Sequence, residues 1–157
     1  MLRTRALEWA LIAIIATGLL GILGRQSSAL QTQAEVAALQ STLGSLRTSL
    51  VIDQLQRVAR EQSGVQLPPP PANPFLVQGR APANYLGEVA RSRIDEVPRG
   101  MWVFDPACPC IGYRPHNPSG IEPELGHQAL WYRASTLQGL TTLSALEPYR
   151  WQGISIQ

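Results

Sequence analysis

The chain has 157 residues, a formal net charge of +2 at pH 7 from 13 basic and 11 acidic side chains, and two cysteines. All the basic residues are arginines and none of them form a run, which excludes the electrostatic footprint of a nucleic-acid-binding protein. The sequence also lacks a nucleophile elbow, a glycine-rich phosphate loop and a paired-carboxylate motif. We therefore expect neither an enzyme nor a bound cofactor.

The first predicted element is a membrane segment within residues 1–25. An uninterrupted apolar run extends from Trp9 to Leu23 and follows Arg3 and Arg5. Its 15 residues would span about 22 Å as a helix, and they approach the roughly 20 residues of a membrane span when their apolar neighbours are added. Arginines before the run place the N-terminus in the cytoplasm. This predicts a single-pass protein of the bacterial inner membrane with its C-terminal domain in the periplasm.

Glu8 lies at the edge of the apolar run. A carboxylate at that depth is costly unless it is paired, and two partners are open: Arg5 on the same helix or a positive group of a neighbouring subunit. Ala13, Thr17 and Gly21 recur every four residues and form a small-residue stripe suited to close helix packing. Glu8 and this stripe are the predicted subunit-packing residues.

A cleaved signal peptide is the alternative interpretation of the same segment. Ser27 and Ala29 are small residues that suit a cleavage site, and cleavage after Ala29 would release a periplasmic or secreted binding module. The helical pattern continues through this point without a break, which favours retention of the segment.

An amphipathic helix is predicted over residues 26–63, continuing the membrane helix. Its apolar residues alternate gaps of three and four. They are Val36, Leu39, Leu43, Leu46 and Leu50. Leu55 and Val58 are expected to continue the stripe, slightly displaced, next to the Val51–Ile52 pair. Gly64 with the prolines after it ends the helix. The stripe could form a coiled coil with a second chain or dock on the sheet of its own C-terminal domain. Additional alanines widen the face and favour docking.

The C-terminal domain, residues 64–157, begins with a proline-rich stretch, 68–99, that we expect to be an ordered irregular loop. Alternating apolar residues then predict strands at 101–104, 111–113, 129–135 and 140–146. The tail Tyr149–Trp151 is expected to cap the sheet edge. The predicted fold class is α+β, with a long N-terminal helix packed on a small antiparallel β-sheet.

Cys108 and Cys110 flank Pro109 in the predicted hairpin turn and form a possible disulfide that staples the turn. A membrane-tethered thiol oxidoreductase is an alternative, but it would need a lowered thiolate pKa at a helix start, and this pair follows Asp105 with no lysine nearby. Zinc binding with His116 and His127 is disfavoured because structural zinc thiols are usually two to four residues apart. No metal site is predicted.

Several short segments resemble one known family. They are AALQSTLGSLRTSL at 37–50, NPF at 73–75, PANYLGE at 82–88, PRGMWVFD at 98–105 and YRW at 149–151. With the preceding helix pattern, they resemble type IV pilins and type II secretion pseudopilins, in a subgroup of pilus or secretion-system biogenesis proteins.

The resemblance implies a pilin-like fold and a non-enzymatic subunit or accessory protein in pilus assembly or type II-like secretion. Its implied partners are the membrane and other pilin-like or secretion-system subunits, including further copies of itself. Glu8 matches the family glutamate that meets the N-terminal amine of a neighbouring subunit. The chain has Arg3 and Thr4 where the family carries glycine and usually phenylalanine around its cleavage site.

Overall fold

In a computed structural model, the chain forms a long N-terminal helix and a small α+β domain, which confirms the predicted fold class at that level. The structure describes residues 2–65, 69, 72–77, 79–122, 129–137, 140–151 and 153–156. For residues 2–11, 20, 22–29, 136–137 and 140 within these ranges, only the backbone is described.

The chain divides into two compact units, Met1–Ala37 and Ala38–Gln157. The first unit consists of the beginning of helix α1, which runs from Leu2 to Gln62. The second unit contains the rest of α1 and all the strands.

The predicted membrane span is wrong. Among the helices that the structure describes, none is long and apolar enough to cross a bilayer. The apolar run Trp9–Leu23 reaches only about 22 Å, whereas the hydrocarbon core is about 30 Å thick, and Glu8 and Arg25 close it at both ends. This finding overturns the single-pass topology and the inner-membrane location with a periplasmic domain.

The C-terminal part of α1 has one buried face. Its leucines, Leu39, Leu43, Leu46 and Leu50, are between 0 and 6 % exposed, and Val36 in the first unit is buried too. The helix ends where Gly64 takes a φ of +78°. The N–H of Val65 then donates to the carbonyl of Arg60 at 3.0 Å, a bond that satisfies the last turn of the helix.

The proline-rich stretch is more regular than predicted. It contains the short helix α2 (Pro74–Val77), strand β1 (Tyr85–Glu88) and a 3₁₀ segment (Arg91–Glu96). Asn73 organises the beginning: its Oδ1 accepts from the N–H of Phe75 at 3.0 Å, and its Nδ2 donates to the hydroxyl of Tyr85 at 2.8 Å. Elements of four to six residues are too short to produce a clear hydrophobic period.

The main sheet has five strands, in the order β1-β2-β3-β5-β6. Its later strands are β2 (Met101–Asp105), β3 (Cys110–Arg114), β5 (Leu130–Leu137) and β6 (Leu140–Ala145). The β2–β3 hairpin and the two following strands form as predicted, in antiparallel pairs. β1 runs parallel to β2, so the sheet is mixed rather than antiparallel throughout.

The tail forms a second sheet instead of capping the first. Strands β7 (Tyr149–Trp151) and β8 (Ile154–Ile156) pair with each other, and β4 (Ile121–Glu122) pairs with β7. The order is β4-β7-β8. Burial alternates along β7, where Tyr149 and Trp151 are buried and Arg150 is exposed, as expected for a strand with one apolar face.

The two central strands of the five-stranded sheet, β2 and β3, are buried on both faces. On one face an aromatic row runs across neighbouring strands, with ring centroids 4.8 Å apart between Trp102 and Tyr113 and 6.4 Å apart between Trp102 and Tyr132. On the other face Val103 and Trp131 pack in a buried cluster with Ile94 of the 3₁₀ segment. Burial on both faces explains why the central strands are continuously apolar.

Candidate functional site

The two cysteines of the chain form a disulfide at the tip of the β2–β3 hairpin. The Cα atoms of Cys108 and Cys110 are 5.3 Å apart, within the range usual for disulfides. Cys110 is fully buried and Cys108 is half-buried. Arg133 on β5 donates from Nε to the carbonyl of Cys108 at 3.1 Å, which fixes the turn to the sheet.

Asp105 lies beside the disulfide and is 4 % exposed. Its Oδ2 accepts from the N–H of Arg91 at 2.8 Å, and its Oδ1 accepts from the N–H of Ala107 at 2.9 Å. Both oxygens therefore satisfy backbone donors, one at the start of the 3₁₀ segment and one in the turn. The carboxylate positions two loops against each other.

Asp105, Cys108 and Cys110 are the group of potential metal ligands that the described residues bring together, with their ligand atoms within 4.8 Å of one another. The sulfurs are bonded to each other and the carboxylate oxygens hold backbone N–H groups, so the geometry suits a staple better than a cation. His116 is exposed and His127 lies outside the described residues. The pair also sits in a turn, away from the helix start that would lower a thiol pKa.

An open cleft of about 560 Å³ lies along the end of strand β6. It is lined by Arg47, residues 143–148 and Ile156. Arg47 donates from Nε to the carbonyl of Leu143 at 3.1 Å, so its guanidinium already binds the strand. The polar side chains of this lining are Arg47, Ser144 and Glu147, and the Glu147 carboxylate lies 3.9 Å from the guanidinium of Arg91.

Two buried tyrosines lie near this region. Burial raises the pKa of Tyr132 and of Tyr149 above the usual value for a phenol. The Tyr149 hydroxyl accepts from the N–H of Trp131 at 3.3 Å, whereas the Tyr132 hydroxyl has no hydrogen-bond partner among the described residues. Both phenols stay protonated at neutral pH and serve packing.

The predicted subunit-packing residues lie on the N-terminal part of α1. The side chain of Glu8 falls outside the described side chains. Ala13, Thr17 and Gly21 are exposed on the helix. The Thr17 hydroxyl donates to the carbonyl of Ala13 at 2.7 Å, so it needs no partner from outside the helix.

The same part of α1 exposes large aliphatic side chains. Exposure is 55 % at Ile12, 70 % at Ile14, 54 % at Ile15, 55 % at Leu19 and 65 % at Leu30. Because successive residues are separated by about 100°, four of them lie within about 60° of one another around the helix, and Ile14 alone lies on another side.

A second exposed aliphatic group lies on α1 within the C-terminal unit. It consists of Val51, Ile52, Leu55 and Val58, with exposures between 38 and 64 %. The prediction that Leu55 and Val58 continue the buried stripe is wrong, since five residues turn the helix about 140° past Leu50. The sequence carries a signal for this second face: Val51, Leu55 and Val58 are separated by gaps of four and three residues, which is helical spacing.

Comparisons with known proteins give no relative. No family model matches the chain, and neither a curated protein nor a solved structure matches it. None of them supports an assignment to type IV pili or type II secretion. The membrane segment on which that assignment also depended is wrong, so it is not retained.

Proposed function

We propose that this chain is a non-enzymatic assembly subunit that associates with other subunits through exposed aliphatic faces of helix α1. The observation that carries the proposal is the exposure of Ile12, Ile15 and Leu19, each more than half open to solvent. Contiguous exposed apolar surface of this kind marks interaction sites on proteins.

The N-terminal unit supports this function by its pattern. A helix that is apolar around its whole circumference is one that other structure buries. Ala13, Thr17 and Gly21 leave a shallow face on which a second helix can approach closely, and a Cβ at Gly21 would meet nothing within 4 Å. Helices of other subunits are therefore the partners proposed for this unit.

The rigidity of the C-terminal unit also supports the proposed assembly function. The hairpin staple, the Asp105 hydrogen bonds and the double-sided burial of strands β2 and β3 describe a domain built for stability. The proposal retains the predicted packing of helices between subunits. It does not include the predicted membrane location or the predicted role in a pilus or secretion system.

The test is the association state of the full chain, measured by sedimentation velocity over a range of concentrations. We expect species larger than the monomer that increase with concentration. The variant Ile15→Glu/Leu19→Glu should shift the distribution to smaller species, because a charge cannot be buried in an apolar contact. Gln33→Glu, on the same unit and already exposed and polar, is the control. A chain that is monomeric throughout, or a variant that associates like the parent, would overturn the proposal.

A further inference from the structure

We infer that the cleft at the end of β6 binds an extended segment of a partner protein as an added β-strand, placed between β6 of the five-stranded sheet and β8 of the three-stranded sheet. The inference goes beyond the proposed function, because it concerns the C-terminal unit and a peptide main chain rather than a helix. Among the strands that the structure describes, β6 and β8 are each the last of their sheet. An outermost strand has one row of N–H and C=O groups that its own sheet does not bond.

The register shows which main-chain groups of β6 point away from its sheet. Leu137 and Leu140 are paired with only two residues between them. They therefore bond to each other directly, and every second residue after Leu140 bonds to β5. The N–H of Leu146 donates to the carbonyl of Trp131, in agreement with this alternation. The residues of β6 whose main-chain groups point outward are Thr141, Leu143 and Ala145.

Helix α1 covers the first part of this edge and leaves the last part open. Gln54 accepts from the N–H of Thr141, and Arg47 donates to the carbonyl of Leu143. The described residues provide no such partner for the outward groups of Ala145. Ala145 is half-buried and lines the cleft of about 560 Å³. The cleft therefore lies where the edge of β6 is uncovered.

Strand β8 presents a second outward residue. Trp151 and Ile154 are paired with two residues between them, so they too bond directly, and Tyr149 and Ile156 form the next bonded pair. Ser155 lies between these two pairs, and its N–H and C=O therefore point away from β7.

The two open edges adjoin at Arg47. The cleft beside β6 is lined by Arg47 and by Ile156 of β8. Arg47 also lines a second cleft, of about 450 Å³, together with Ser155. The described parts of β6 and β8 do not pair with each other. Because successive residues of a strand bond to opposite sides, one segment between the edges can bond Ala145 through one residue and Ser155 through the next.

The lining favours an uncharged peptide over a charged ligand. Its two charged side chains are engaged within the chain, Arg47 with the carbonyl of Leu143 and Glu147 with the guanidinium of Arg91 at 3.9 Å. Open main-chain groups beside apolar side chains suit strand addition, in which main-chain hydrogen bonds supply the affinity and alternate side chains the specificity. The apolar side chains at the end of the cleft are those of Leu146, Pro148 and Ile156. We therefore expect small apolar residues at alternate positions of the bound segment.

The first experiment uses a five-residue peptide of alternating valine and threonine, with both ends blocked, and the full chain. We expect the peptide to bind saturably in a fluorescence anisotropy titration and to slow amide hydrogen exchange at Ala145 and Ser155. The amide of Thr141, already bonded to Gln54, is the internal control and should exchange at the same rate with and without peptide. No binding at millimolar peptide, or binding that leaves Ala145 and Ser155 unchanged, would overturn the inference.

The second experiment uses two N-methylated forms of the same peptide. One form is methylated at its even residues and the other at its odd residues, so each loses the donors for one edge. Both should bind more weakly, with the dissociation constant raised about fivefold or more for each hydrogen bond removed. Sensitivity to one form only would place the peptide on a single edge and overturn the position between the sheets. Sensitivity to neither would overturn strand addition.

The third experiment changes the protein. Ala145→Pro removes an outward N–H and keeps the bonds between β5 and β6, and proline is accepted on an edge strand at such a position. We expect it to raise the dissociation constant of the peptide about fivefold. Ser144→Ala changes only the neighbouring exposed side chain and is the control. A folded Ala145→Pro variant that binds like the parent would overturn the contact with β6, and the methylated peptides test it on the unchanged chain.

The identity of the occupant and the proposed function can fail separately. Exchange at Ala145 and Ser155 that slows with rising chain concentration, without peptide, would identify a second copy as the occupant and overturn the partner segment. A chain that stays monomeric in sedimentation but binds the peptide would overturn the assembly function and leave this inference supported.

Discussion

Gln54 and Thr141 join helix α1 to the outermost strand of the five-stranded sheet, with the Oε1 of Gln54 accepting from the N–H of Thr141 at 2.7 Å. Two residues further along β6, Arg47 donates to the carbonyl of Leu143. An open strand edge is a template for aggregation, and proteins cover such edges in several ways. Here two long side chains of α1 occupy backbone groups that another strand could otherwise bind.

The variant Gln54→Ala should open this edge. We expect a loss of about 1 kcal/mol in the free energy of unfolding, because a half-buried backbone N–H loses its acceptor, and faster aggregation on mild heating. Denaturant titration and light scattering measure the two effects. Gln56→Ala changes an exposed glutamine on the same helix and should do neither. Equal behaviour of the two variants would contradict the role given to Gln54.

Removing the hydroxyl of Tyr132 should not destabilise the protein. That hydroxyl is buried without a hydrogen-bond partner among the described residues, so Tyr132→Phe should leave stability unchanged or raise it by up to about 1 kcal/mol. Tyr149→Phe is the matched comparison. Its hydroxyl accepts from the N–H of Trp131, and its loss should cost about 1 kcal/mol. In thermal unfolding, Tyr132→Phe should have the parent's midpoint temperature or a higher one, and Tyr149→Phe a lower one.

Stability should fall at alkaline pH. Burial raises the pKa of Tyr132 and Tyr149 above 10 in the folded chain. The unfolded chain therefore releases these protons first, and the stabilisation, complete below pH 10, is lost as pH rises toward the folded pKa. The slope is about 1.4 kcal/mol per pH unit for each tyrosine that ionises only on unfolding. Denaturant midpoints between pH 8 and 11 measure it, and Tyr132→Phe should flatten the curve.

Gly112 should not tolerate even alanine. A Cβ at this position would lie 2.7 Å from Cζ3 of Trp131, a ring fixed in the core. Gly112→Ala should therefore lower the free energy of unfolding by about 1–3 kcal/mol through overpacking. Gly44→Ala, where the added methyl has free space, should raise the monomer's stability by about 0.5–1 kcal/mol. The same change at two glycines should thus give opposite shifts in the denaturant midpoint.

The disulfide should contribute stability and nothing more. The bond closes a loop of three residues. By lowering the conformational entropy of the unfolded chain, a loop of this length stabilises the folded state by about 1.5 kcal/mol. Cys108→Ser should lose about this much, and the parent protein treated with a dithiol reductant should unfold at the same denaturant concentration as the variant. A variant that unfolds like the oxidised parent would show that the bond does not stabilise the hairpin.

The amphipathic helix and the central strands were predictable because each has a strong local pattern. Leu39, Leu43 and Leu46 repeat with the helical period and are buried. Trp102 and Phe104 point to one face of a strand and Val103 to the other, and these residues form β2. The residues that set these elements are close together in the sequence, so the sequence is sufficient to find them.

The other parts depend on contacts that no local pattern contains. β1 is only four residues long and is held in parallel to β2 across the 3₁₀ segment. Leu55 is a different case, because a local signal was available: the gap of five from Leu50 turns the helix about 140°, and the gaps between Val51, Leu55 and Val58 indicate a second face. The membrane prediction depended on hydropathy near the lower length limit, where a few flanking charges decide the outcome.

The leucine stripe of α1 has a consequence for biosynthesis. The stripe leaves the ribosome about 100 residues before β6, the strand to which Arg47 and Gln54 are hydrogen-bonded. Until β6 has been made, the hydrogen bonds of Arg47 and Gln54 to this strand cannot form. Docking of this helix is therefore a late step of synthesis that closes a contact between distant parts of the chain, and such contacts slow folding.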